Sequence, residues 1–294
     1  GINVFASVGS NILNALKLSK YVDLGFKRNQ KYELFIHLAP IVTLFLYNAT
    51  TVIFTSLDQV MLGFIKANES VGYYAAAIKI QNILVSLITA LGAVMLPKIS
   101  YALKNEGREN MIRKSFEFII ISAIPMCFLV IILSKEIILV LAGKDYFPAI
   151  PMLQFLMPSL IFIGLSSVTA WQLLIPLGKE KYTVIGALAG VIVNLGLNSL
   201  MIPAWGGVGA AIASTLAELA VLSVHLKALK EIVSRTFEKR ELLIAILSTF
   251  ITSGVVLVVK YNILVKTAFF ACVVYGSVFV GVYGVSLLLF KEKL

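Results

Sequence analysis

The chain has 294 residues, of which 59% are hydrophobic and 14% are charged, and its mean hydropathy is +0.95. Water-soluble domains carry roughly 25% charged residues, so this composition excludes one. The net charge of +10 does not indicate a nucleic-acid partner, because the basic residues lie in short links between apolar runs. These runs are about 20 residues long, which is the length that spans a bilayer as a helix. The sequence therefore predicts an all-α, polytopic bundle of transmembrane helices.

Eight complete spans follow one another along the chain. In order they cover residues 34–57, 71–96, 115–134, 149–174, 182–202, 207–228, 242–260 and 267–289. The segment 1–16 is apolar as well, but a helix of that length reaches only about 24 Å and cannot cross the hydrocarbon layer. We therefore expect the sequence to begin inside one further helix and the protein to extend upstream of it.

The link 17–33 is basic and amphipathic. Apolar and aromatic side chains interleave there with five lysines and arginines. Such a pattern is typical of a helix that lies on an anionic membrane surface, and a solvated cytoplasmic loop is the alternative. We therefore divide the chain into a segment 1–33, which holds the end of a truncated helix and this link, and a C-terminal transmembrane bundle 34–294.

The distribution of basic residues predicts the orientation of the bundle. Alternate links carry 19 lysines and arginines, whereas the opposite links carry five. The positive-inside rule places the richer set in the cytoplasm. One span more or fewer would scramble this alternation, so the same distribution supports the count of eight. We predict a multi-pass protein of the cytoplasmic membrane whose C-terminus is cytoplasmic.

Polar residues inside the first two complete spans are the clearest functional signal. Asp58 and Gln59 close the first span, and Lys79, followed by Gln81, lies about 12 Å into the second. Charges inside a membrane are costly and usually face an aqueous cavity or a partner. We hypothesise that these side chains line a polar substrate cavity open to the outer side. The alternative is a structural ion pair between Asp58 and Lys79 that pins the two helices together.

A stripe of small and amide residues marks the fifth and sixth spans. Its members are Gly186, Gly190, Asn194, Asn198, Gly206 and Gly209. The first four are four residues apart and share one helix face, and the last two lie at the turn and at the beginning of the next helix. Small residues let two helices approach closely, and amides can bond across the contact. This spacing predicts a tightly packed helical hairpin rather than a substrate site.

Sequence signatures of enzymes and metal centres are absent. No HExxH motif, nucleophile elbow or Walker loop occurs, and neither do the acidic loop motifs with which membrane glycosyltransferases hold a metal and a sugar nucleotide. Cys127 and Cys272 stand singly within apolar runs, and His37 and His225 lie near the ends of spans. We expect no catalytic activity, no cofactor, no bound metal and no nucleic-acid partner.

Four stretches of the sequence occur in the order of one family's motifs. They are residues 58–80, with DQVMLG and VGYYAAAxKI; 96–100, LPKIS; 141–146, LAGxxY; and 194–211, with its asparagines, proline and GAA. Together they resemble polysaccharide biosynthesis flippases, the Wzx-like branch of the multidrug/oligosaccharidyl-lipid/polysaccharide exporter superfamily. The resemblance implies a two-bundle transporter in which the eight spans correspond to helices seven to fourteen of fourteen.

The resemblance also implies a function. Such a transporter flips a polyprenyl-pyrophosphate-linked oligosaccharide across the cytoplasmic membrane by alternating access, for surface polysaccharide biosynthesis. Its partners would be that lipid-linked oligosaccharide, membrane lipids, and the polymerase and glycosyltransferases of the same pathway. A cavity ammonium such as that of Lys79 suits a pyrophosphate, since a medium of low dielectric strengthens the attraction. The alternatives are a lipid II flippase, a cation-coupled drug or metabolite antiporter of the same superfamily, and a non-transporting membrane scaffold for envelope assembly.

Overall fold

The structure is a computed structural model that describes residues 8–14, 38, 42, 45, 56–66, 68–102, 108–237 and 239–293. Its contacts divide the chain into two units, Gly1–Ile41 and Val42–Leu294. In the first unit, residues 8–14 are helical. The helices of the second unit, numbered here in chain order, are α1 (Ser56–Ile65), α2 (Asn68–Ala102), α3 (Arg108–Leu141), α4 (Ala149–Leu156), α5 (Ser159–Ser167), α6 (Lys181–Trp205), α7 (Gly207–Ala228), α8 (Lys230–Thr236), α9 (Lys239–Asn262) and α10 (Ala268–Lys293).

Seven stretches of the described chain are helical, long and apolar enough to cross a membrane. They are Asn68–Ala90, Glu109–Leu141, Ala149–Leu174, Lys181–Trp205, Gly207–Ala228, Arg240–Asn262 and Ala268–Phe290. They coincide with the second to eighth predicted spans, and the helical, multi-pass architecture is confirmed for the residues that the structure describes. The predicted span 34–57 lies mostly outside the described residues, as does the whole link 17–33, so the count of eight stays a prediction.

The third of these stretches, Ala149–Leu174, is not one regular helix. Pro158, which has no backbone N–H, separates α4 from α5. After α5 the chain continues as a π-helical segment, Val168–Leu174, at whose end the Ile175 N–H donates to the Ala170 carbonyl over 3.0 Å. A π-turn accommodates one residue more than an α-turn, so the side chains beyond it lie about 100° from where an uninterrupted α-helix of the same sequence would place them. This segment contacts α2, α6 and α7.

The hairpin of α6 and α7 is closely packed. Gly206, whose φ is 55°, lies between the two helices, in a conformation that residues with a Cβ rarely adopt. At Gly190 a Cβ would lie 2.7 Å from the Val221 side chain, and at Gly186 it would lie 2.8 Å from Nε2 of His225. Glycine at these positions therefore permits the close approach of the two backbones.

The last two helices, α9 and α10, form a second hairpin that packs on α3. A buried apolar cluster that includes Val256, Tyr275 and Phe279 joins them to α3. The Lys260 ammonium lies 2.9 Å from the Glu136 carboxylate and also donates to the Ile132 carbonyl oxygen of α3. A partly buried ion pair that also satisfies a helix carbonyl orients the hairpin at this end of the bundle.

Candidate functional site

Asp58 accepts hydrogen bonds from four side chains of three helices. Its Oδ1 accepts from the amides of Asn194 and Asn198 over 2.8 and 2.6 Å. Its Oδ2 accepts from the Tyr74 hydroxyl over 2.7 Å and from the Ser214 hydroxyl. All five side chains are buried, and we call them the Asp58 network. In the described part of the chain, Asp58 is held by these four hydrogen bonds and not by an ion pair.

The positions of these donors follow from helix geometry. Asn194 and Asn198 are one turn apart on α6, and the Asn198 amide also donates to Oδ1 of Asn194 over 2.9 Å. Ser214 lies on α7 directly opposite, because the glycines of the hairpin bring the two helices together. Tyr74 comes from α2, so the Asp58 network ties α1 and α2 to the α6–α7 hairpin.

A cavity of about 210 Å³ opens beside Asp58. We call it the carboxylate cavity, because its lining includes Asp58 and, one helical turn after Ser214, the partly buried Glu218. Gln81 borders it as well and donates to the Ser159 hydroxyl over 2.5 Å. The oxygens gathered here suit a proton or a hard cation better than a transition metal. Among the described residues, no group of three or more His, Cys, Asp and Glu could hold a metal ion.

Lys79 faces a different space, a pocket of about 570 Å³ that we call the lysine pocket. It is lined by residues of α2 and by Leu141, Ala142 and Tyr146 at the end of α3 and in the turn that follows. Lys79 is exposed, and no described residue forms a hydrogen bond or an ion pair with it. An ammonium without a partner inside a spanning helix is available to an anionic ligand.

The four predicted cavity residues therefore do not line one space. Asp58 and Gln81 border the carboxylate cavity, and Lys79 borders the lysine pocket. Gln59 lines a third hollow, of about 550 Å³, beside Phe64 of α1. The alternative ion pair between Asp58 and Lys79 is not formed either, since the carboxylate oxygens of Asp58 accept from other donors. Whether any of the four binds substrate stays a prediction.

The separation follows from the period of α2. Each residue of an α-helix advances by about 100°, so Lys79 and Gln81, two apart, point about 160° from each other. Tyr74 and Gln81 are seven apart and lie on one face with the carboxylate cavity. Gly72, Ala76 and Lys79 lie on the other face with the lysine pocket. One helix thus contributes to both sites with opposite surfaces.

Sequence reasoning missed three members of the carboxylate site. Tyr74 and Ser214 were not predicted to bond Asp58, and Glu218 was not predicted to line a cavity with it. The available signal was the spacing of Ser214 and Glu218, four apart on the face of α7 that follows the glycine turn. Asn194 and Asn198, predicted to serve helix packing, lie in the hairpin and also hold Asp58.

Comparisons with known proteins agree with this architecture. A family model described as polysaccharide biosynthesis protein matches residues 3–151. The probable low-salt glycan biosynthesis flippase Agl15 of Haloferax volcanii is 25% identical over 232 residues, which cover 76% of this chain and 49% of that protein. The chain thus spans about half the length of the relatives it matches.

Two solved structures share the fold. The lipid II flippase MurJ in an inward closed conformation superposes with a TM-score of 0.76 at 19% identity, over 91% of this chain and 58% of that one. An outward-facing multidrug resistance MATE transporter of the MOP superfamily superposes with a TM-score of 0.56 at 15% identity, over 85% and 60%. Since the family model covers half of the sequence and the helices adopt this shared fold, the chain belongs to the polysaccharide biosynthesis protein family.

Proposed function

We propose that the complete protein flips a polyprenyl-pyrophosphate-linked oligosaccharide across the cytoplasmic membrane by alternating access, for surface polysaccharide biosynthesis. Membership of the polysaccharide biosynthesis protein family supports this function, as does a relative named as a glycan biosynthesis flippase. The fold shared with a lipid II flippase is consistent with it. Membrane lipids, together with the polymerase and glycosyltransferases of the pathway, are the partners that such a function requires.

The observation that carries the proposal is the state of Lys79. The residue lies in a helix long enough to cross the membrane, and it is exposed on the wall of a pocket of about 570 Å³. Two other lysines of the bundle differ from it: Lys66 donates to the Pro203 carbonyl oxygen, and Lys260 pairs with Glu136. No described residue neutralises Lys79, so its ammonium is free to bind the pyrophosphate of a lipid carrier.

Replacement of Lys79 by alanine is expected to slow flipping about 10- to 100-fold, because hydrogen bonds to charged groups contribute about 1.5–3 kcal/mol. The complete protein would be reconstituted in vesicles that contain fluorescent polyprenyl-pyrophosphate-linked N-acetylglucosamine. An impermeant quencher would report the initial rate of transfer between leaflets. Lys79→Arg, which keeps the charge, should retain a larger part of the rate than Lys79→Ala.

Lys179→Ala is the matched control, because Lys179 is an exposed lysine in the link between the third and fourth described spans. It is expected to flip at the wild-type rate. An equal rate for the Lys79 and Lys179 variants would contradict the assignment of Lys79 to substrate binding. Loss of folded Lys79→Ala protein, with no change of rate per folded molecule, would show that the lysine is structural.

We also propose that the C-terminus faces the cytoplasm, as the distribution of basic links indicates. A fusion of alkaline phosphatase to the end of α10 is expected to be inactive, and a fusion of green fluorescent protein at the same point is expected to fluoresce. Moving the fusion to the link between α9 and α10, at 263–267, should reverse both results. The opposite pattern would show the inverted orientation, in which Lys79 lies near the cytoplasmic side.

Two rival cargoes each have an observation in their favour. The superposition with a lipid II flippase favours a peptidoglycan precursor, and two carboxylates in one cavity favour a cation-coupled antiporter. The same vesicles would separate these functions. Faster transfer of lipid II than of other lipid-linked saccharides supports the first rival, and exchange of a cationic drug for Na⁺ or H⁺ supports the second. A chain that transports none of these cargoes would be a membrane scaffold.

A further inference from the structure

The lysine pocket changes in chemical character along α2. Its wall before Lys79 is made of small residues, Gly72, Ala75 and Ala76, which leave room beside the ammonium. A Cβ added at Gly72 would meet no atom within 4 Å, so this part of the pocket is open. Beyond Lys79 the wall is apolar, because Ile83 continues the same helix face. The pocket thus has a wide end, lined by the small residues, and an apolar end, with the Lys79 ammonium between them.

An aromatic ring lies at the wide end of the lysine pocket. Tyr146 belongs to the short turn Lys144–Tyr146, which begins after Gly143, a glycine with a φ of 93°. Its ring meets that of Tyr73 edge to face, with centroids 5.7 Å apart and planes at 89°. Such a contact fixes the orientation of the ring. Since Tyr73 neighbours Gly72, the Tyr146 ring lies near the beginning of α2, roughly 10 Å along the helix from Lys79.

Three chemistries therefore follow one another along the pocket: an aromatic ring with a hydroxyl, a cation and an apolar wall. A lipid-linked oligosaccharide has three parts in the same sequence, because its sugars are joined through phosphate to a polyprenyl chain. Aromatic faces that carry a polar edge suit the mixed apolar and hydroxyl surface of a sugar ring. In the proposed orientation α2 begins on the outer side, which places the aromatic end toward the exterior and the apolar end toward the bilayer centre.

We propose that the lysine pocket holds the lipid-linked oligosaccharide in its outer-leaflet orientation, with the phosphate-proximal sugar against Tyr146, the pyrophosphate at Lys79 and the first isoprene units along Ile83. The inference rests on the proposed function and deepens it. Tyr146 becomes a specificity-determining residue that distinguishes a glycosylated carrier from a bare one. The pocket is then the site from which the flipped product leaves the protein.

The test compares two probes, undecaprenyl pyrophosphate and undecaprenyl pyrophosphate that carries one N-acetylglucosamine. Their dissociation constants would be measured on the complete protein in detergent, with phosphatidylglycerol as a reference lipid. The wild type is expected to bind the glycosylated probe about 3- to 10-fold more tightly, the range of a single aromatic contact. Tyr146→Leu should abolish this preference, and Tyr146→Phe should keep most of it. Lys79→Ala should weaken the binding of both probes by the same factor.

Two further variants keep the test decisive. Tyr261→Leu removes an 89% exposed tyrosine at the end of α9 and is the matched control, expected to bind both probes as the wild type does. Gly72→Leu leaves Tyr146 in place but fills the wide end of the pocket, where an added Cβ meets no atom within 4 Å. It should weaken the binding of the glycosylated probe only. If Tyr146→Leu and Gly72→Leu both prefer the glycosylated probe as strongly as the wild type does, the assignment of Tyr146 is wrong. A wild type that binds neither probe better than phosphatidylglycerol would overturn the proposed function itself.

Discussion

Replacement of Asp58 by alanine is expected to lower the free energy of unfolding by about 2–4 kcal/mol. The change removes the shared acceptor of the Asp58 network and leaves buried amide and hydroxyl donors to compete for fewer partners. Part of the loss is recovered because Asn198 still donates to Asn194, and Tyr74 still lies 3.2 Å from Ser214. The measurement is the thermal midpoint of unfolding of the detergent-solubilised protein. It is monitored by size-exclusion chromatography of the protein fused to a fluorescent protein.

The conservative variant Asp58→Asn separates charge from hydrogen bonding. Its amide oxygen can accept from two of the four donors, so an intermediate midpoint is expected. Glu69→Ala, at an exposed acidic residue in the first turn of α2, is the control and should melt as the wild type does. Identical midpoints for Asp58→Ala and Glu69→Ala would show that the Asp58 network does not hold α1 and α2 to the hairpin.

Replacement of Gly209 by alanine is expected to destabilise the protein by about 3 kcal/mol, at the upper end of the cost of overpacking. A Cβ at Gly209 would lie 2.3 Å from the Met201 carbonyl oxygen and 2.5 Å from its carbonyl carbon. Both atoms belong to the backbone of α6 and cannot rotate away, so the two helices must separate. That separation would also move Ser214 away from Asp58.

Gly196→Ala is the matched control for this second prediction. It adds the same methyl group to α6 of the same hairpin, where no atom lies within 4 Å. We expect an unchanged or slightly raised midpoint, since alanine is the better helix former. If both alanine variants melt at the same temperature, the close approach at Gly209 does not limit the stability of the hairpin.

The positions of the spans could be predicted because length and hydropathy alone decide them. Seven predicted spans coincide with apolar helices, including 149–174, whose outer limits agree with Ala149–Leu174. The interior of that span was not predicted. Nothing in the local pattern shows that Val168–Leu174 is π-helical, because a π-turn is stabilised by the packing around it rather than by residue type.

The site could be predicted only in part, since spacing shows which residues share a face but not which helix lies opposite. Asn194 and Asn198 were correctly placed on one face, yet their partner Asp58 is 136 and 140 residues away in sequence. The opposite directions of Lys79 and Gln81 were accessible from the sequence, because two residues of helix always turn the chain by about 200°. Applying that period to α2 would have divided the hypothesised cavity in two.

The π-helical segment Val168–Leu174 has a consequence for reading related sequences. A single residue inserted into a transmembrane helix normally rotates everything beyond it by about a quarter turn, and a π-turn absorbs such an insertion locally. Relatives that are one residue shorter between Pro158 and Gly178 would then be expected to carry a plain α-helix there. A one-residue gap in an alignment at this point would record the gain or loss of the π-turn, while the helix ends on both sides stay in register.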